Sequence, residues 1–264
     1  MSRLNLTQIR KMKAEQNKIA MLTAYDASFS YLLEQAGVDV ILVGDSLGMV
    51  IQGQESTLPV TIDDIIYHTR NVIRGSESAF VIADMPFMSY SDNGQAISNA
   101  ARLMAEGGAQ MVKLEGGSVI VDTVKQLTER GIPVCAHLGL LPQSVHRFGG
   151  YRVQGRETEA AQLLIDDAKA LQAAGADMIV LECIPAPLAK QVTEIVDIPV
   201  IGIGAGNDCD GQVLVLYDML GLTIGKRPRF SHDFLSDTGT IPAAITKYVQ
   251  DVKSGQFPTL EQQY

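Results

Sequence analysis

One pattern constrains this chain more than any other. A short apolar run rich in β-branched residues stops at a polar or glycine-containing turn, and an amphipathic stretch follows before the next run begins. The runs fall at residues 19–25, 40–43, 80–83, 111–114, 134–136, 178–181, 200–203 and 213–217, the last of which also reads as helix. Continuous rather than alternating apolar character suits parallel strands covered on both faces. Stretches at 93–106, 119–129, 158–174 and 187–196 have helical periodicity, and Gly37, Gly75, Gly107, Gly131 and Gly175 stand where helix-ending glycines belong. About eight strand–helix units in about 250 residues predict a (β/α)8 TIM barrel with right-handed crossovers. A doubly wound open sheet usually has fewer strands and often opens with GxGxxG after the first; Tyr25-Asp26-Ala27 is no such turn.

Two helices lie outside the repeat. One at 7–16 precedes the barrel, and one at 242–253, stopped by Gly255, follows it; the residues from Pro258 read as a loose tail. No linker rich in Pro, Gly or Ser interrupts the 264 residues, so residues 1–264 read as a single barrel domain. The chain is 46% hydrophobic and 19% charged, enough to bury a large core. Lys plus Arg is 21 against 30 for Asp plus Glu, a formal charge of −9 without a basic block, which argues against nucleic acid. Cys135, Cys183 and Cys209 are widely spaced in apolar context and make neither a zinc pattern nor a disulfide framework, as expected for a cytoplasmic protein. No run approaches the roughly 20 apolar residues of a membrane helix, and residues 1–18 are too polar for a signal peptide.

In such a barrel the chemistry gathers where strands run into their following loops. Three neighbouring junctions each offer a carboxylate: Asp45 in Gly44-Asp45-Ser46, Asp84 in Asp84-Met85-Pro86 and Glu115 in Lys113-Leu114-Glu115. Asp45 and Asp84 also suit helix caps or turns, but three converging like charges call for a neutralising cation, and an all-oxygen set selects Mg²⁺. Glu182 stands apart, after Met178-Ile179-Val180-Leu181, where apolar surroundings suit a general base; a rim salt bridge is the bland alternative. Lys113 shares a strand face with Glu115, as anchor for an anionic substrate group or as partner of a carboxylate. His137 reads equally as a substrate contact and as a structural histidine, and His68 as a helix-packing residue. The Gly202–Gly206 segment reads as a tight turn rather than a phosphate cradle, and the cysteines as buried small residues.

The motifs at these junctions are TAYDASFS (23–30), VGDSLGMVIQG (43–53), ADMPF (83–87), VKLEGG (112–117), HLGLLPQS (137–144), GGYRVQGR (149–156), VLECIP (180–185) and IGIGAGNDCDGQVLV (201–215). Together and in this order they resemble the ketopantoate hydroxymethyltransferase family, within the phosphoenolpyruvate/pyruvate barrel superfamily. The resemblance implies Mg²⁺, 5,10-methylenetetrahydrofolate as one-carbon donor, and a large cytoplasmic homo-oligomer, a decamer. It also implies Asp45, Asp84 and Glu115 as metal-site carboxylates, Asp45, Ser46, Asp84 and Lys113 around a 2-oxo acid, and Glu182 as the base that takes a proton from C3 of 3-methyl-2-oxobutanoate. Two departures are visible: Leu141 stands where Thr is expected and Lys226 where His is common. A Mg²⁺-dependent carbon–carbon lyase of the same superfamily is the nearest alternative, but the Cys-containing KKCGH turn of those lyases is absent. A non-catalytic keto-acid-binding barrel has little reason to combine a carboxylate triad with an isolated carboxylate.

Overall fold

The structure, a computed structural model, describes residues 3–264 apart from the side chain of Phe148. Eight parallel strands close into a barrel: β1 (Ile19–Thr23), β2 (Val40–Val43), β3 (Phe80–Asp84), β4 (Met111–Glu115), β5 (Val134–Gly139), β6 (Met178–Glu182), β7 (Val200–Ile203) and β8 (Gly211–Leu214). Each pairs with its sequence neighbour, and β1 pairs with β8, Leu22 standing opposite Leu214. Nearly every strand position is buried, because one face lines the barrel and the other meets the helices. This is the predicted (β/α)8 barrel.

The helices start where side chains satisfy free backbone N–H groups. Asp26 caps Ala27–Gln35, Asp92 caps Asn93–Ala105, and Thr61 with Asp64 forms a reciprocal capping box on Ile62–Gly75. That last helix buries Ile65, Ile66, Thr69 and Val72, a stripe at helical spacing facing the sheet. Gly37, Gly131 and Gly175 adopt the left-handed conformation expected of helix stops. Gly75 does not. It remains helical, and a Cβ there would lie 2.1 Å from the carbonyl oxygen of Ala27, so close helix packing demands glycine.

Three features at the chain's ends refine the sequence reading. The N-terminal helix runs Leu6–Ala14 and the C-terminal helix Ile241–Lys253. The eighth apolar run divides, ending β8 at Leu214 and starting a short helix, Leu216–Met219, so strand and helix share it. The predicted loose tail is packed: Leu260–Gln262 forms a 3-10 turn, Tyr264 packs against the core, and its carbonyl accepts a hydrogen bond from the Ala186 N–H at 2.8 Å. Leu260 stays exposed, so Tyr264 and its backbone carbonyl, rather than an apolar face, anchor the segment, and its polar composition obscures this.

The C-terminal helix also secures the barrel seam. Tyr248 is fully buried, and its hydroxyl lies 2.9 Å from the Met21 carbonyl of β1 and 3.0 Å from the Gln212 carbonyl of β8. Its ring packs edge-on against Phe234 and Phe257.

Candidate active site

The site is a cavity of about 860 Å³ at the C-terminal end of the strands. Inward-facing residues follow the two-residue strand period: Lys113 and Glu115 on β4, Val180 and Glu182 on β6. Register then decides which charges meet. Asp84 lies directly across from Lys113, and Glu115 across from His137.

Asp45 follows Gly44 just beyond β2, and its backbone N–H donates to Asp84 Oδ2 at 3.0 Å. The other oxygen of Asp84 receives Lys113 Nζ at 2.7 Å, with both side chains about 95% or more buried. Burial alone would push the Lys113 ammonium down, but Asp84, Glu115 and Asp45 outweigh it and hold the group well above its ordinary value. For Asp45 the same forces act the other way. Burial first, then the charges of Asp84 and Glu115, push its carboxyl well above the usual range.

His137 stands between two carboxylates, 3.6 Å from Glu115 Oε1 through Nδ1 and 3.3 Å from Glu182 Oε2 through Nε2. Burial and Lys113 push the imidazole down, yet the two glutamates prevail and raise it to about 9. Glu182, which the sequence set apart, is thereby linked to Glu115 through the ring. The β6 end is tight: Gly139, at φ +93°, leaves no room for a Cβ, which would lie 2.2 Å from the Glu182 carbonyl oxygen. Ser46 bonds the buried Tyr25 hydroxyl at 2.8 Å. The three cysteines are free and buried, with burial pushing the thiols of Cys135 and Cys209 up to about 12; His68 Nδ1 lies 2.7 Å from the Tyr25 carbonyl.

Sequence reasoning did not single out Gln143. Its Nε2 donates to Asp45 Oδ2 at 2.8 Å and to the Met85 carbonyl at 3.0 Å, its Oε1 accepts from Tyr90 at 2.6 Å, and its backbone N–H donates to Glu115 Oε2 at 3.0 Å. One buried glutamine thus ties the segments after β2 and β3 and the end of β4 to the loop after β5. The signal was present in HLGLLPQS, but a glutamine carries no charge to draw attention.

This donor set fits a hard cation. It is all oxygen and rich in negative charge, Asp45 is strained toward protonation, and Glu115 Oε1 is buried without a hydrogen-bond partner. Among the described residues no three His, Cys, Asp or Glu side chains, Asp45, Asp84 and Glu115 included, are grouped so that together they could hold a metal ion. Mg²⁺ asks for less: one or two carboxylates, with water and substrate oxygens completing its shell.

Comparison with known proteins agrees with this architecture. Solved structures of similar fold include a 2,3-dimethylmalate lyase, of the PEP mutase/isocitrate lyase superfamily, with TM-score 0.59 and 19% identity over 82% of each chain. A phosphonopyruvate hydrolase solved with oxalate and Mg²⁺ has TM-score 0.63 and 13% identity, covering 98% of this chain and 93% of its own. Sequence relatives include 3-methyl-2-oxobutanoate hydroxymethyltransferases of Nitrosococcus oceani, 65% identical over the whole of both chains, and of Shewanella loihica, 58% identical over 99% of this chain and 98% of its own. The family model described as ketopantoate hydroxymethyltransferase matches residues 3–260. The chain belongs to the ketopantoate hydroxymethyltransferase family.

Proposed function

We propose that this enzyme transfers a hydroxymethyl group from 5,10-methylenetetrahydrofolate to C3 of 3-methyl-2-oxobutanoate, giving 2-dehydropantoate and opening pantothenate synthesis. The relatives' names support the reaction, and one structural observation carries the chemistry. Buried carboxylates suited to a cation occupy one part of the floor, and Glu182 faces the same cavity beyond His137.

Asp45 and Asp84 would hold Mg²⁺, with Glu115 beside them. The bound cation would supply Lewis-acid stabilisation of negative charge on the keto oxygen. Ser46 and Lys113 bind the 2-oxo acid, since Lys113 retains two further N–H donors after its bond to Asp84. Glu182 accepts the C3 proton. His137, 3.3 Å from Glu182, lies close enough to orient that carboxylate. The deprotonated C3 then bonds to the methylene carbon of the donor while that carbon's bonds to N5 and N10 break; water supplies the hydroxyl oxygen, and one proton of that water and the proton held by Glu182 go to the two nitrogens, releasing tetrahydrofolate. Buried walls exclude bulk water from the carbanion.

No described helix is long and apolar enough to cross a membrane. The three free, buried cysteines fit a reducing compartment, and on that ground the enzyme is assigned to the cytoplasm. Its proposed assembly is a homo-oligomer, a decamer by family resemblance. A native mass measurement checks the assembly.

Proton NMR in D₂O tests the reaction. Protein, Mg²⁺, keto acid and the folate should together lose the C3 proton signal and gain a hydroxymethyl signal, both stopped by chelator. Glu182→Gln should abolish exchange while Mg²⁺-dependent keto acid binding persists. Normal exchange in that variant would place the base elsewhere.

A further inference from the structure

One continuous cavity joins two opposite electrostatic environments. Its floor holds Asp45, Asp84, Glu115 and Glu182, and its rim carries Lys226, Arg227 and Arg229 from the loop between the helices Leu216–Met219 and Phe234–Thr238. Three cations within four residues run against the field of a chain whose net charge is −9. Their charge is poorly compensated. Arg229 spends its Nε on the Glu261 carbonyl at 3.1 Å and lays its guanidinium over the Tyr264 ring, 5.4 Å from the centroid. Arg227 meets Asp233 only at 3.7 Å and keeps 41% of its side chain exposed. Lys226 is exposed, and the ion pairs found among the described residues do not include it. Between floor and rim the cavity wall is apolar and aromatic, including Leu140, Tyr151, Ile203, Phe230 and Tyr264.

A ligand that matches this gradient reacts at the floor, has a flat apolar middle and ends in carboxylates. A reduced folate has that order of groups: pteridine, aminobenzoyl, then a glutamate that is extended through γ-amide links into a flexible polyanion. We propose that Lys226, Arg227 and Arg229 form a subsite for the γ-linked glutamyl carboxylates of the one-carbon donor, so that the enzyme prefers oligoglutamyl over monoglutamyl folates. The inference rests on the reading that a methylene folate is the co-substrate. An ammonium on a flexible stem follows a mobile tail, and guanidinium groups fork onto carboxylates. Each contact is solvent-exposed, so the preference is moderate and weakens with salt.

Calorimetric titration of the Mg²⁺-loaded enzyme with tetrahydropteroyl monoglutamate and triglutamate tests this directly. At low salt the triglutamate should bind roughly five- to twentyfold tighter, and the advantage should shrink severalfold in roughly 0.5 M salt, where the screening length is about half its physiological value. The double variant Lys226→Glu with Arg227→Ser should bring the ratio of the two affinities below about twofold; thermal melting checks that it folds. Lys226→Ala alone, a milder change, should cut the ratio by about two- to threefold. KM values for the two methylene derivatives should follow the same ratios. Equal affinity of the wild type for both folates would overturn the subsite, as would an undiminished ratio in both variants. Binding of neither folate to the wild type would overturn the co-substrate reading itself, and the subsite with it.

Discussion

Lys113 and Asp84 face each other across the β3–β4 ladder, and their side chains meet at 2.7 Å in the buried floor of the cavity. The strand register makes this pair: a slip of one residue by either strand would turn that strand's side chain away from the barrel interior. The ammonium offsets a group of carboxylates rather than one partner, since Asp84, Glu115 and Asp45 all raise it against the opposing effect of burial.

Lys113→Met should therefore cost far more than a surface ion pair. Removing one member of a buried pair typically costs about 3–5 kcal/mol, and the variant should melt well below the wild type in chelator. Saturating Mg²⁺ should recover part of the loss by binding the folded state. A melting temperature in chelator equal to that of wild type would contradict this account.

Asp45→Asn should act in the opposite direction. Burial and the neighbouring carboxylates raise the native pKa of Asp45 above its unfolded value, so the folded state takes up a proton and gains stability as pH falls through the native pKa. At pH 8 without metal, the asparagine variant should be more stable by about 1–2 kcal/mol, a shift of a few degrees. The gap should narrow toward acid pH, and the variant should lose most of the Mg²⁺-induced rise in melting temperature.

His137 gives a separate pH signature. Its native pKa of about 9 lies above the unfolded value, so its stabilisation is complete below about 6.5 and disappears as pH rises through about 9. In chelator, the stability advantage of wild type over His137→Gln should fall by about 1–3 kcal/mol between pH 6 and pH 10. Melting curves across that range measure it; a constant difference would mean the ring is neutral throughout.

Gln143→Leu removes both contacts made by the amide nitrogen and the acceptor for Tyr90. Leaving buried groups unpaired costs about 1–3 kcal/mol each, less whatever water recovers, so a loss of about 2–4 kcal/mol is expected. Mg²⁺ affinity, followed by calorimetry, should fall at the same time because Asp45 is no longer held. Gln143→Glu should be worse still for the metal-free fold, since it adds another negative charge beside Asp45.

The barrel was readable because its signals are local. Each strand announces itself by continuous apolar character, and each strand end by the polar residue that follows, so Asp45, Asp84, Glu115 and Glu182 could be found from position alone. The pleat also placed Lys113 with Glu115. What escaped depends on distance in sequence. Gln143 acts on Asp45 from 98 residues away, and His137 reaches Glu182 only because β5 and β6 pair in one particular register. The residues from Pro258 looked loose because few apolar side chains among many polar ones show no period, yet Tyr264 packs against the core and lines the cavity. Gly75 misled for a related reason: a glycine marks a stop or a close contact, and only the neighbouring helix tells which.

The bonds of Tyr248 to β1 and β8 carry a consequence for how the chain emerges from a ribosome. The first strand is made early but its second edge stays open until residues 211–214 appear, and the residue that bridges the seam arrives later still. Ring closure and docking of the last long helix thus belong to one late, cooperative event. Until then the nascent sheet carries an unpaired apolar edge, the stage at which chaperone capture or misassociation competes most strongly with folding.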